Sequence, residues 1–344
     1  MLAARLHPGE SRLLIEDVPV PEPTGDAVLV QVAGAGVCRS DLHVLDGKFE
    51  ELVRRPVTMG HEIAGRVAAL GPSAAGVAIG EPVAVMVGWG CGFCRWCVSG
   101  HEQLCAEGRE AGSTADGGFA EYVLVPHRRH VVPLGGLDPL EATPLGCAGV
   151  SAYAAVKRVR SHLEGAATLL VIGAGGLGRF AVQLARALTG ATVVVLDTDE
   201  NALASARELG ADHVVPVSQD SAAAVRALAS GGADAVLDFV GTDSTLGLAA
   251  DVVAPRGIVA LLGLAGGTLP FEFFRLAPEA SLTTVVAGTV RDLQEVVALA
   301  QAGRIRSRIR TYPLTRIHDA LDDLRGGPAD GRAVVVPDQE GGGP

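Results

Sequence analysis

Residues 168–199 read TLLVIGAGGLGRFAVQLARALTGATVVVLDTD, and the fold follows from how that text changes period. Thr168–Ile172 is a short unbroken apolar run, the mark of a strand buried on both faces. GAGGLG then places Gly173, Gly175 and Gly178 in the spacing G-x-G-x-x-G, with Gly176 and Leu177 filling the turn. RFAVQLARALT repeats its apolar residues at helical spacing, and TVVVLD is a second buried strand that ends on Asp197. A strand, a glycine turn that opens a helix, and a second strand closing on an acid about 20 residues on make the phosphate-binding unit of a dinucleotide fold. The glycines let a pyrophosphate approach the helix N-terminus, where free N–H groups and the helix dipole favour anions. Asp197 suits the two ribose hydroxyls and repels a 2′-phosphate, and no arginine follows within LDTDEN, so NAD is expected and NADP is not. The plainer alternative makes Asp197 a strand-end cap.

Downstream the alternation continues through ENALASARELG and HVVP. Strands are expected at Ala235–Val240, Ile258–Leu262 and Leu282–Ala287, giving about six and hence a complete doubly wound parallel sheet over residues 148–288. Leu262 and Leu264, at the carboxyl end of one of these strands, are expected beside the nicotinamide. Upstream the pattern differs. Residues 27–35, 63–69 and 119–125 read as short apolar or alternating strands between Gly, Pro and Asp turns, which suits an antiparallel barrel with few helices before about residue 140. The last fifty residues add helices at Asp292–Ala302 and Ile317–Leu324 and a strand at Arg332–Val336, followed by a GGGP tail expected to fray. The class is α/β, with a barrel domain from 1–147 and 289–344 around the doubly wound one.

A chain of 344 residues with 48% hydrophobic content can bury two cores, so disorder is not the default. Its net charge of -11 gives no electrostatic reason to seek nucleic acid or an anionic membrane, and small molecules become the expected partners. Arg5, Glu10, Arg12, Glu16 and Asp17 interrupt the first twenty residues, where no apolar leader can be drawn. A soluble cytoplasmic protein is expected.

Cys91, Cys94, Cys97 and Cys105 are spaced C-x2-C-x2-C-x7-C. Such clustering favours a metal over disulfides in a long chain without an export signal. Four thiolates form a closed tetrahedral zinc site that stabilises structure and leaves no place for substrate. An iron–sulfur cluster is the competing reading, although the C-x2-C-x2-C-x3-C-P spacing is missing. Cys38 and Cys147 remain, together with His61 in GHEIAG. Two thiolates and one imidazole make a three-ligand zinc site with an open fourth position, the arrangement catalysis needs.

CRSDLH at Cys38–His43, GHE-x2-G-x5-G at Gly60–Gly71, the cysteine quartet and GAGGLG together resemble the zinc-containing medium-chain alcohol dehydrogenases. The resemblance spans nearly the whole chain. WGCGFC, GGLG, LDFVG and GRAVVV look closest to the bacterial NAD-dependent secondary-alcohol dehydrogenases. It implies a GroES-like barrel carrying two Zn2+, a Rossmann domain for NAD, and reversible hydride transfer between a medium-sized aliphatic or aryl alcohol and its ketone or aldehyde. By the same resemblance Ser40 begins a proton relay and His43 ends it through the cofactor ribose; otherwise they are a backbone cap and a half-buried histidine. Asp41 is implied as the carboxylate that orients His61. Glu62 is either a transient fourth ligand or a buried charge partner. Arg332 corresponds to an arginine on the cofactor phosphates, or is an exposed end-strand residue. Val87, Trp89, Leu264 and Phe49 are candidate substrate walls between the domains, or else ordinary core residues. A homodimer or homotetramer is implied, built by continuing strands such as Leu282–Ala287.

Two other functions stay open. One is a tailoring or polyol dehydrogenase of the same fold, and the other a non-enzymatic NAD or zinc sensor, against which Ser40 argues because a sensor needs no proton relay.

Overall fold

The computed structural model describes residues 1–327 and 331–338, so the GGGP tail lies outside the described residues. The chain divides into two compact units, one of Met1–Val150 with Ala287–Pro344 and one of Ser151–Val286.

In the first unit, Val28–Gly36 is the hub. Its nine residues pair antiparallel with Glu62–Leu70, with Tyr122–Val125 and, near its end, with Arg332–Val336. The sheet runs outward through Pro82–Val85 to Val131–Pro133 on one side and to Ile309–Pro313 on the other. That last pair, Ile309–Pro313 with Arg332–Val336, is parallel. The short apolar strands read in the sequence close over one core, filled by Val28, Val30, Ile63, Val83, Val85, Phe119 and Val335. Two shifts of register interrupt the pairing of Val28–Gly36 with Glu62–Leu70 and bend the ladder there. The pair still ends with Gly36 opposite Glu62, and this sets one wall of the site below.

The second unit is a six-stranded parallel sheet. Its spatial order is His213–Pro216, Thr192–Asp197, Thr168–Ile172, Ala233–Asp238, Val253–Leu261 and Ser281–Thr284. The strand met first in the chain is therefore central, and the winding reverses direction between it and Ala233–Asp238, which leaves a crevice at their carboxyl ends. All five residues of Thr168–Ile172 are buried, as an apolar run without alternation requires.

Several details differ from expectation. The fourth strand of this sheet ends at Asp238 rather than Val240, because the Asp238 carboxylate takes the N–H groups of Val240 and Gly241 into a turn at 2.9 and 3.0 Å. The outermost strand is Ser281–Thr284, and Ala287 has left-handed backbone with φ 46°. A seven-residue helix, Arg39–Leu45, lies in the stretch expected to be poor in helices, and it carries Ser40, Asp41 and His43.

Candidate active site

Four sulfurs 2.3 Å from a tetrahedral centre stand about 3.8 Å apart. Cys91 Sγ and Cys97 Sγ are 3.9 Å apart, and the Sγ atoms of Cys91, Cys94, Cys97 and Cys105 all lie within 4.8 Å of one another. The quartet thus fits a zinc ion and is too open for disulfides. Backbone N–H groups already face the sulfurs: Cys91 N donates to Cys105 Sγ and Cys94 N to Cys91 Sγ, each at 3.4 Å. Backbone hydrogen bonding, led by Phe93, lowers the Cys91 thiol to about 7, whereas desolvation pushes Cys97 up to about 12. Arg129 locks the loop from outside. Its Nη2 donates to the carbonyls of Gly90 and Cys91 at 3.0 and 2.8 Å, and its guanidinium fills the space beside Gly92, where an added Cβ would lie 1.8 Å from Nη1. Gly92 also has φ +89°, a conformation that glycine adopts without strain. Arg129 Nε donates to Nε2 of His130 at 3.3 Å, and burial followed by the Arg129 charge lowers that imidazole to about 3, so it is a neutral acceptor.

Cys38, His61 and Cys147 form the second group, again with ligand atoms within 4.8 Å of one another. Cys38 precedes the helix Arg39–Leu45, His61 sits at the entry to Glu62–Leu70, and Cys147 immediately follows the short turn of helix Thr143–Gly146. Asp41 ties two of these elements together: Oδ2 accepts from Cys38 N at 2.8 Å and Oδ1 lies 3.3 Å from His61 Nδ1. The imidazole is thereby held by its Nδ1, which leaves Nε2 as the donor a metal would take, and Ser40 Oγ stands 3.5 Å from that Nε2. Burial acts to lower the His61 pKa, but the Asp41 charge and hydrogen bond outweigh it and leave it well above the usual range. Cys38 is held well below an ordinary thiol, first by the Cys147 hydrogen bond and against desolvation, while Cys147 is pushed well above.

Glu62 is fully buried, and Arg332 Nε and Nη2 donate to its two carboxylate oxygens at 2.9 and 2.6 Å. Gly36 makes room for this pair, since a Cβ there would come 2.2 Å from Glu62 Oε1. Of the two readings of Glu62, the geometry is that of the buried charge partner. Of the two readings of Arg332, the exposed end-strand residue does not hold, since its side chain is 11% accessible and two of its donors are spent on Glu62. His43 is half-buried and meets Phe49 edge to face with ring centroids 6.3 Å apart; burial, then Lys48 and Arg39, lowers its pKa. Val87 and Trp89 are buried, with the Trp89 indole N–H donating to Met86 O at 2.8 Å, while Phe49 is exposed on left-handed backbone.

In the second unit, Gly173 has φ +91° and Gly175 precedes the helix Gly176–Leu188. A Cβ on Gly178 would lie 2.0 Å from Gly173 O, so close packing of the helix on the strand needs glycine there, whereas Gly175 faces open space. Asp197 Oδ2 accepts from Ala174 N at 2.6 Å and Oδ1 from Asp199 N at 2.9 Å, which fixes the carboxylate beside the glycine turn. Leu262 and Gly263 donate their N–H groups to Asp238 O, and Leu264 is exposed beyond them. Asp238, which the motif reading passed over, therefore anchors both neighbouring loops; its only sequence signal is an acid closing the strand in LDFVG.

Residues 24–136 match the alcohol dehydrogenase GroES-like domain and residues 176–302 the zinc-binding dehydrogenase family. An NAD-dependent alcohol dehydrogenase of Sulfurisphaera tokodaii is 40% identical, covering 98% of this chain and all of its own length, 100%. A D-arabinose 1-dehydrogenase (NADP+) of Saccharolobus solfataricus is 36% identical over 97% of each chain. Among solved structures, the alcohol dehydrogenase of Aeropyrum pernix superposes with a TM-score of 0.93 at 36% identity, covering 98% of this chain and 100% of that one. The chain belongs to the zinc-containing medium-chain alcohol dehydrogenase family, with a GroES-like and a Rossmann domain.

Proposed function

We propose that the protein catalyses reversible NAD(H)-linked hydride transfer between an alcohol, secondary by preference, and its ketone or aldehyde. The observation that carries this reading is the three-donor group of Cys38, His61 and Cys147, with Asp41 holding the far side of the imidazole and the Ser40 hydroxyl beside Nε2. When bound there, zinc supplies Lewis acidity to a carbinol or carbonyl oxygen, and NAD supplies the hydride acceptor. Cys91, Cys94, Cys97 and Cys105 hold a second, structural zinc.

The chain's own groups do the remaining work. Asp41 keeps His61 in one tautomer and one orientation, so the donor set stays in place through turnover. Ser40 Oγ takes the carbinol proton and His43 hands it toward solvent; the lowered pKa of His43 keeps its imidazole neutral and able to accept. Glu62 and Arg332 neutralise each other behind the thiolates. Gly173, Gly175, Gly176, Leu177 and Gly178 take the pyrophosphate and Asp197 the ribose hydroxyls, with Leu262 and Leu264 beside the nicotinamide. Val87 and Trp89 serve as apolar walls, with Phe49 at their margin.

A homodimer or homotetramer is the assembly we infer, supported by the outer strand Ser281–Thr284 and by exposed Phe271, Phe273 and Phe274. The grouping of six cysteines as two metal donor sets suits the reducing cytoplasm, where thiols stay free. Neither nucleic acid nor membrane is proposed as a partner; among the described residues no helix is long and apolar enough to cross a bilayer.

The test is an NADH-absorbance screen of alcohols and ketones against NAD and NADP. Turnover with simple alcohols and NAD supports the reading. Turnover restricted to polyols or to one biosynthetic intermediate would move it to the second function. Binding of NAD with no turnover of any substrate would leave the sensor.

A further inference from the structure

Glu110 has no role in the chemistry above, yet the fold brings it to the edge of the donor set. Gly88–Trp89 and Arg109–Glu110 form a short antiparallel ladder in which Glu110 stands opposite Gly88. Residues opposite each other in such a pair share a face, and Gly88 contributes no side chain to it. A Cβ built on Gly88 meets nothing within 4 Å, so the face that Glu110 shares is open.

The following residues fasten this ladder beside a ligand. Ala111 N donates to Val87 O at 3.2 Å, and Gly112, with φ +77°, packs so closely that its Cβ would lie 2.7 Å from the backbone N of Gly60, the neighbour of His61. Glu110 itself is held by its backbone: N donates to Thr114 Oγ1 at 2.7 Å, and O accepts from the amides of Ser113, Thr114 and Ala115. Its side chain is exposed and, among the described residues, has neither a hydrogen bond nor an ion pair. Desolvation by the surrounding chain raises its carboxyl above the ordinary range; His61 acts against that rise, and Asp41 and Cys38 add to it. The turn that starts at Glu110 is thus packed on the residue that precedes His61, which carries the carboxylate at the border of the donor set.

We propose that Glu110 is a specificity-determining residue, whose carboxylate accepts a hydrogen bond from a second donor, a hydroxyl or an ammonium group, on the alcohol being oxidised. The inference rests on the alcohol dehydrogenase reading of the Cys38, His61, Cys147 centre and names its substrate class. A carboxylate offers only acceptors when ionised, and among the described residues no protein donor uses them. The opposed Gly88 brings no side chain of its own to this face, so one acidic group sets the polarity that a substrate must match. Small diols and amino alcohols satisfy it. An apolar alcohol leaves it without a partner, and a hydroxy acid brings a like charge against it.

The test uses four substrates built on one CH3–CHOH–CH2 unit: 2-pentanol, 1,3-butanediol, 4-amino-2-butanol and 3-hydroxybutyrate. NADH formation is measured for each with the zinc-loaded wild type, Glu110→Gln and Glu110→Leu. The kcat/KM of the diol relative to 2-pentanol is expected to fall about tenfold in Glu110→Leu and to change little in Glu110→Gln, which keeps an acceptor. The amino alcohol is expected to lose about tenfold in both variants, and 3-hydroxybutyrate to gain in both, while the KM for NAD stays constant. Oxidation of 2-pentanol with these ratios unchanged, or an equal fall for all four substrates, would overturn the role of Glu110 alone. NADH from none of the four in the wild type, with two zinc ions bound per chain, would overturn the dehydrogenase reading beneath it.

Discussion

Replacing either member of the Glu62–Arg332 pair should destabilise the first unit far more than replacing both. Glu62 is fully buried, Arg332 is 11% accessible, and two hydrogen bonds of 2.9 and 2.6 Å join them. Neither charge reaches water to replace a lost partner. Removing one side of such a pair costs about 3–5 kcal/mol, whereas an apolar replacement of both often costs little. For a unit of this size each kcal/mol moves the thermal midpoint by roughly 2–4 °C, so either Glu62→Leu or Arg332→Leu should lower it by about 10 °C. The double variant should recover at least half of that loss. Arg332→Leu leaves a carboxyl that relieves itself by taking a proton, since burial already raises its pKa; Glu62→Leu leaves a guanidinium that cannot give one up, and should be the worse single change. The assay is thermal unfolding of zinc-loaded protein as a double-mutant cycle, with zinc quantified in each sample to separate a broken ion pair from a lost metal. Single variants within about 1 °C of the wild type, or a double variant equal to the sum of the singles, would refute the reasoning.

Other consequences are equally open to measurement. Ser40→Ala should keep zinc content and NAD affinity while kcat falls by roughly two orders of magnitude; near-normal turnover would remove Ser40 from the proton path. Asp197→Ala should raise the KM for NAD by about tenfold or more and narrow the preference over NADP, because the carboxylate that repels a 2′-phosphate is gone; unchanged discrimination would move that role elsewhere. His130 is neutral in the native protein, with its pKa lowered to about 3, whereas in an unfolded chain it takes a proton near the ordinary 6.5. Its contribution is therefore complete above about pH 6.5 and declines as the pH falls toward 3, at up to about 1.4 kcal/mol per unit. His130→Gln should flatten the stability curve between pH 6.5 and pH 5 by about one proton's share, and an unaltered slope in denaturant unfolding would contradict the assignment.

What could be read from the text was what the chain encodes at short range. GAGGLG specifies its own turn, because Gly173 needs positive φ and Gly178 needs the missing Cβ, and both requirements are met within six residues. The cysteine quartet is likewise local, and its spacing alone brought four sulfurs together. The buried strands declared themselves by apolar runs. The remainder depended on partners distant in sequence. Glu62 and Arg332 are separated by 270 positions, and no local pattern tells a transient ligand from a buried ion pair. Arg129 finds the carbonyls of Gly90 and Cys91 across 39 and 38 positions, although its only local mark is a run of basic residues in HRRH. The helix Arg39–Leu45 is too short for its period to stand out, so its Ser40, Asp41 and His43 were found by motif rather than by structure. Glu110 was missed because an acid in a polar loop looks ordinary until Gly112 is seen packed on Gly60.

The most direct test of the central claim is zinc content and NADH formation measured on the same samples of wild type and Cys147→Ser. Two zinc ions per chain and alcohol-dependent NADH formation are expected for the wild type, with the variant losing one ion and essentially all turnover while still binding NAD. Retention of turnover in a Cys147→Ser protein that has lost its second zinc would contradict the assignment of Cys38, His61 and Cys147 as the catalytic centre.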